Sequence, residues 1–260
     1  MGCMIRQQIL ARPTADDAQG FHVRGLQVSR LEGISDAVFG LAITLIVVSL
    51  KVPESFDELV GALQGFIGSG VCALLLLQIW NQHYLYFRRF GLEDMTTRSL
   101  NGLLLFVVIA YVYPLKFLFA AFFGSVFHLK SPPVAMRFDD QSELFIIYGA
   151  GFVLVYVIFA LMYWHALRKG SELRMTAMES LQTRWVILEH CLIASSGVLS
   201  ILVAWLGGSR FSMYAGFVYF VIPIFMTVHG MKHGDAVRRL KEEVAAAGGS
   251  DASSAESSQS

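Results

Sequence analysis

The stretch SRLEGISDAVFGLAITLIVVSLK, residues 29–51, decides how the chain is read. It opens on Ser29-Arg30-Leu31-Glu32, a capping-box pattern in which the serine oxygen accepts a backbone N–H and the glutamate reaches back. After Asp36 it carries no charge from Ala37 to Leu50. A helix begun at Ser29 and running to Lys51 measures about 35 Å at ~1.5 Å per residue, enough to cross a hydrocarbon core of about 30 Å. Placed near 34–52, this span is followed by five more apolar runs near 60–82, 100–123, 143–167, 185–206 and 211–230.

Composition agrees with six spans. Of 260 residues 55% are hydrophobic and 15% charged, against about 25% charged in a soluble domain. The 20 basic and 20 acidic residues cancel, which argues against a nucleic-acid partner, whose footprint is a basic excess. Cys3, Cys72 and Cys191 are too few and too scattered for a disulfide framework or zinc site. The sequence therefore predicts an all-α, polytopic membrane protein with six transmembrane helices. Fifteen of the 20 basic residues fall on the side holding both termini, among them Arg24, Arg30, Arg88, Arg89, Arg98, Arg168 and Lys169. The positive-inside rule then places both termini in the cytoplasm, with a bacterial plasma membrane as the expected location.

Residues 1–28 are expected to form a cytoplasmic N-terminal segment standing apart from the bundle, 29–232 the transmembrane domain, and 233–260 a largely disordered cytoplasmic tail. No apolar h-region of a cleavable signal precedes the first span, and Arg6 breaks the myristoylation pattern after Met1-Gly2. The connection Phe122–Glu143, with Pro132-Pro133, has room for a short re-entrant or interfacial piece.

The first span differs from the rest. At about 100° per residue, Ala37, Leu41, Thr44, Leu45 and Val48 share a stripe under about 90° wide. Asp36 lies about 140° round from Leu41, in a separate polar corner with Arg30 and Ser35. Periodicity leaves open whether the stripe meets lipid, another helix or a conduit. Asp36 reads either as an acid complementing the helix dipole or as a group in need of a partner on another helix. It cannot pair well with Arg30, about 120° away on the same helix.

Arg30-Leu-Glu-Gly-Ile34-Ser35-Asp36 followed by Ala-Val-Phe-Gly-Leu-Ala-Ile-Thr-Leu resembles the opening of the first helix in the transmembrane protein 175 family of potassium channels, which has Arg-x-x-x-Phe-Ser-Asp. Trp80-Asn-Gln-His83, Asn101 through Phe106 to Pro114, and Trp164 extend the likeness over about 28–230. Ile34 stands where the family has phenylalanine. The resemblance implies a homotetramer in which the first helices line a pore, with no cofactor beyond the permeating potassium ion. Carried over by position, Leu41, Leu45 and Val48 form apolar constriction rings and Thr44 a hydroxyl layer. It further implies a structural polar network of Arg30, Ser35 and Asp36 with Trp80, His83 and Asn101. His83, Trp80 and Asn101 are the candidate partners, and a pairing of Asp36 with His83 would be pH-sensitive.

A hydrophobic neck can gate by dewetting. Acids just beyond the first span, Glu54, Asp57 and Glu58, either concentrate cations or form an ordinary solvated loop. The alternative function is a secondary transporter of a small solute or ion, in which Pro114 and Pro223 would break their helices. An enzyme fits poorly. Gly68-Ser69-Gly70 lacks nucleophile-elbow spacing, and His229/His233 have no third ligand near. The small-residue stripes Gly61/Gly65/Ser69 and Ser196/Ser200/Ala204 read as helix packing.

Overall fold

The computed structural model describes residues 21–48, 54–126, 140–223 and, beyond these, 226–228, 230–232, 234 and 236–238; a few side chains inside helices, Val48 among them, are outside this set. Every element described is helical apart from turns and connections. The helices are α1 (Arg30–Val48), α2 (Phe56–Phe90), α3 (Met95–Val126) and α4 (Asp140–Arg168). Hydrogen bonding then continues from Ala177 to Phe217, but Gly208 at φ 54°, ψ −160° breaks the direction of the chain. That backbone region is open essentially to glycine alone. We therefore name the membrane-length segments on either side α5 (Ala177–Gly208) and α6 (Tyr214–Arg238). Ser200 Oγ donates to the Ala215 carbonyl at 2.9 Å and ties the two together.

Helices α2 to α6 are long and apolar enough to cross a membrane. The 19 residues of α1 reach about 28 Å, close to the thickness of the hydrocarbon core. The protein is an integral membrane protein built from apolar helices, as its composition required. Each start and stop has a local cause. The Ser29 N–H donates to Glu32 Oε1 at 3.0 Å and the Glu32 N–H to Ser29 Oγ at 3.1 Å, so the predicted capping box starts α1. Thr176 and Glu179 do the same for α5. Gly91, left-handed at φ 58°, ends α2 with its N–H on the Phe87 carbonyl. Helix α3 runs on through Pro114, so it is not the discontinuous helix a transporter reading required. Of the Phe122–Glu143 connection, 127–139 lie outside the described residues; its flanks are helical, α3 to Val126 and α4 from Asp140.

The helices sort into a core and an edge. Helices α4 and α5 share the largest contact, with close approach at Gly149 and Gly197. Ser196, Ser200 and Ala204 are buried, as the second small-residue stripe predicted. On α2 the close approach shifts to Gly68, where an added Cβ would lie 3.1 Å from the Phe119 carbonyl oxygen. Tyr86, Phe90, Phe159 and Tyr163 fill the centre of the bundle's Arg-rich end. Among the described elements α1 touches only α2 and α3. Among the described residues, about half of α1 is left exposed.

One expectation needs correcting. Residues 21–25 do not stand apart from the bundle but form a strap across the Arg-rich end. Phe21 is buried and packs edge-on against Phe90 at 5.5 Å. The Arg24 and Gly25 N–H groups cap the Arg88 carbonyl at 3.1 and 3.0 Å, and the Arg88 guanidinium returns a 2.8 Å bond to the Gly25 carbonyl. The chain lies so close to α2 that a Cβ on Gly25 would fall 2.3 Å from the Phe87 oxygen. Arg24 spans onward to Glu179 with two 2.9 Å bonds. A buried carboxylate demands such partners, and this demand draws the segment in.

Candidate functional site: the two faces of α1

The inner face of α1 carries Glu32, Ser35, Phe39, Ala42 and Ile46, all buried. Ser35 is its polar centre. Its hydroxyl donates to the Leu31 carbonyl one turn back at 2.8 Å and accepts from Asn101 Nδ2 at 2.9 Å. Asn101 Oδ1 in turn meets His83 Nε2 at 2.8 Å. With the amide oxygen as acceptor, Nε2 carries the proton. Three helices are thus joined by a buried chain from α1 through α3 to α2. The rings of Phe39 and Phe87 flank His83, with centroids at 5.6 and 4.7 Å. Burial in an apolar setting raises the cost of leaving any of these groups unpaired.

The other three expected members, Asp36, Trp80 and Arg30, stand apart from this chain. Asp36 does not pair with His83; it accepts from Trp80 Nε1 at 2.8 Å, on the exposed side. The reason is angular. Ser35 and Asp36 differ by about 100° on α1, so when Ser35 faces the core Asp36 cannot. Trp80, three residues before His83 on α2, reaches Asp36 directly, whereas His83 reaches Ser35 only through Asn101. Arg30 is exposed at the first turn of α1 and does not join the network. Ile34 is 61% exposed and takes no part either; the ring against His83 comes from Phe39.

The outer face carries Gly33, Ile34, Ala37, Gly40, Leu41 and Thr44, all exposed, with Leu41 at 54%. Leu45 is half-buried, turning toward the bundle. The Val48 and Asp57 side chains and His229/His233 lie outside the described residues. Thr44 Oγ1 donates its proton to the Gly40 carbonyl at 2.7 Å. Its lone pairs therefore remain available on the exposed face, the arrangement that suits a cation. Positions 34, 37, 41, 44 and 48 alternate steps of three and four, the spacing of a seam that keeps facing one axis.

The far end of α1 is held by a charge. Lys116 on α3 donates to the Ile46 carbonyl at 2.9 Å. This is one of the last-turn carbonyls a helix cannot satisfy itself, and a cation there also complements the dipole. Nothing in the local sequence pointed to Lys116. Glu58, one of the acids beyond the first span, accepts from the Glu54 N–H at 3.0 Å and has its own N–H on Ser55 Oγ, so it belongs to the start of α2.

Comparison with known proteins follows the same region. The family described as endosomal/lysosomal potassium channel TMEM175 matches residues 30–111. A potassium channel of Marivirga tractuosa is 36% identical over 234 residues, covering 86% of this chain and 94% of its own. A potassium channel of Streptomyces collinus is 28% identical over 148 residues, covering 54% of this chain and 65% of its own. Among solved structures, a threonine-to-alanine variant of the potassium channel MtTMEM175, crystallised with a nanobody–MBP fusion, superposes with a TM-score of 0.72. It is 35% identical, over 83% of this chain and 97% of that one.

Proposed function

The chain belongs to the TMEM175 potassium channel family, and we infer from this that it conducts potassium ions passively along the outer face of α1. The observation that carries the reading is the bare stripe of Ile34, Ala37, Leu41 and Thr44 on a helix whose other face is fixed to α2 and α3. Four copies arranged about an axis would place these stripes opposite one another. Leu41, Leu45 and Val48 would then ring a neck, with Thr44 oxygens between them.

An apolar neck excludes water until it widens, and an ion crossing it must shed or deform its hydration shell. Potassium, the less strongly hydrated ion, is penalised less than sodium. The outward lone pairs of Thr44 offset part of that loss. The Ser35–Asn101–His83 chain has the role of bracing α1 from behind, and Trp80–Asp36 that of holding its Arg-rich end. No cofactor takes part. By the bias of basic residues, the Arg-rich end and both termini face the cytoplasm of a bacterial cell.

The test is flux of purified protein in liposomes under a potassium gradient. Passive, electrogenic, non-saturating flux is expected, with Leu41→Ala raising conductance or weakening discrimination against sodium. If alanine at Leu41, Leu45 and Val48 leaves every ion flux unaltered, the conduction path lies elsewhere. Saturable flux coupled to a second ion would instead favour a transporter.

A further inference from the structure

Away from α1, helices α3 and α4 part at the Arg-rich end to leave a groove of about 480 Å³. Its walls change chemistry with depth. Leu100 and Leu161 line the inner half; Thr96, Arg168 and Lys169 line the outer half, and Trp164 stands between. Leu161 precedes Arg168 by about 10 Å along α4, so the apolar half lies at hydrocarbon depth and the cationic half in the headgroup layer.

The charges are not equivalent. His165 Nε2 is bound to Asp94 Oδ2 at 2.8 Å, and Lys169 Nζ leans on Glu172 at 3.2 Å and Asp94 at 3.8 Å. Neither carboxylate lines the groove. Arg168 lies 4.8 Å over the Trp164 ring and pairs with no carboxylate among the described residues. Trp164 is itself 48% exposed. A guanidinium held over an interfacial tryptophan and paired with no carboxylate can offer its N–H groups to two phosphate oxygens.

We propose that this groove binds an anionic phospholipid from the leaflet at the Arg-rich end. Arg168 takes the phosphate, Lys169 and the Thr96 hydroxyl stand beside it, and an acyl chain follows Leu161 and Leu100 inward. A free phosphate ion would leave the apolar half without an occupant. Basic pockets between transmembrane helices offer this combination of charge and grease.

Native mass spectrometry of the intact channel titrated with phosphatidylglycerol, and separately with phosphatidylcholine, tests the site. Each basic side chain near an anionic headgroup is worth about fivefold. R168Q is therefore expected to weaken phosphatidylglycerol binding about fivefold, and K169Q to add a smaller loss because Lys169 is already paired with Glu172 and Asp94, with phosphatidylcholine unaffected. A photo-crosslinking phosphatidylglycerol on the unmodified protein should label peptides of α3 and α4 around Thr96 and Trp164. Equal phosphatidylglycerol retention by the variants would overturn the proposal, as would labelling confined to other helices. Displacement of the lipid by millimolar inorganic phosphate would reassign the site to a soluble anion. A change of oligomer size in R168Q would make the groove a contact between copies of the chain, which also excludes the lipid.

Discussion

Replacing Asn101 by leucine is the sharpest probe of how α1 is held. The two side chains are of similar size, so the change removes hydrogen bonds without opening a large cavity. Two interhelical bonds are lost, of 2.9 Å to Ser35 and 2.8 Å to His83. They are not equal losses. Ser35 keeps its bond to the Leu31 carbonyl and forfeits only an acceptor role. His83, 1% exposed between Phe39 and Phe87, is left with a buried N–H facing a methyl group. A stranded buried donor costs about 1–3 kcal/mol, while interhelical hydrogen bonds in membranes average about 0.6 and reach about 1.7 kcal/mol. Asn101→Leu is therefore expected to destabilise by about 1.5–3 kcal/mol, and Ser35→Ala by under about 1 kcal/mol. His83→Phe should add little once Asn101 is leucine, because both partners are then apolar; the cycle should show about 1–2 kcal/mol of coupling. Reversible unfolding in mixed micelles measures all four proteins. Costs that simply add in the double variant, or an Asn101→Leu loss under about 0.5 kcal/mol, would refute the network.

The strap offers a second perturbation. The Glu179 side chain, 2% exposed, accepts from the His22 and Thr176 N–H groups and from both ends of Arg24. Removing one partner of a buried pair costs about 3–5 kcal/mol; with Arg24 partly solvated, Glu179→Gln should cost about 2–4 kcal/mol. It should also raise hydrogen exchange across 21–28; unchanged exchange there would count against the strap. Asp94 sets an acid limit. Burial opposes its charge, but hydrogen bonds from Thr97 and His165, aided by His165 and Lys169, outweigh it and hold the carboxyl below its usual range. Its contribution is complete above the unfolded value of about 4 and is lost as pH falls through the lower folded value. Asp94→Asn should therefore flatten the pH dependence of stability below about pH 4, and an unaltered acid limb would remove Asp94 from that role.

What the sequence could reveal followed the range of the interaction. The Ser29–Glu32 box acts over three residues, and the α1 stripe repeats over a few turns, so both were legible. Ser35, His83 and Asn101, grouped through the resemblance, are joined by hydrogen bonds. The partner of Asp36 stayed open among several candidates, because choosing between Trp80 and His83 needs the rotation of α1 against α2. Arg24 and Glu179 are 155 residues apart. Thr176 and Glu179 form a capping box in the structure, but no local pattern could bring Arg24 to it. Lys116 shows the same limit. One lysine in an apolar run reads as a topological nuisance until the carbonyl it meets is known.

The attachments of α1 lie unevenly along it, and this sets how it can move. Near its base are the capping box, the strap a few residues ahead and the Ser35 bond to Asn101; eleven residues on, Lys116 grips the Ile46 carbonyl. The hydrogen bonds that hold the helix therefore cluster at its Arg-rich end, while Ala42 and Ile46 pack its far half into the core. A tilt of about 5° about the Arg-rich end would carry the Thr44 level about 1 Å sideways while leaving Ile34 almost still. On the conduction path proposed above, the width near Thr44 would then depend on the Lys116 grip together with the packing of Ala42 and Ile46, and the width near Ile34 on the capping box and the strap.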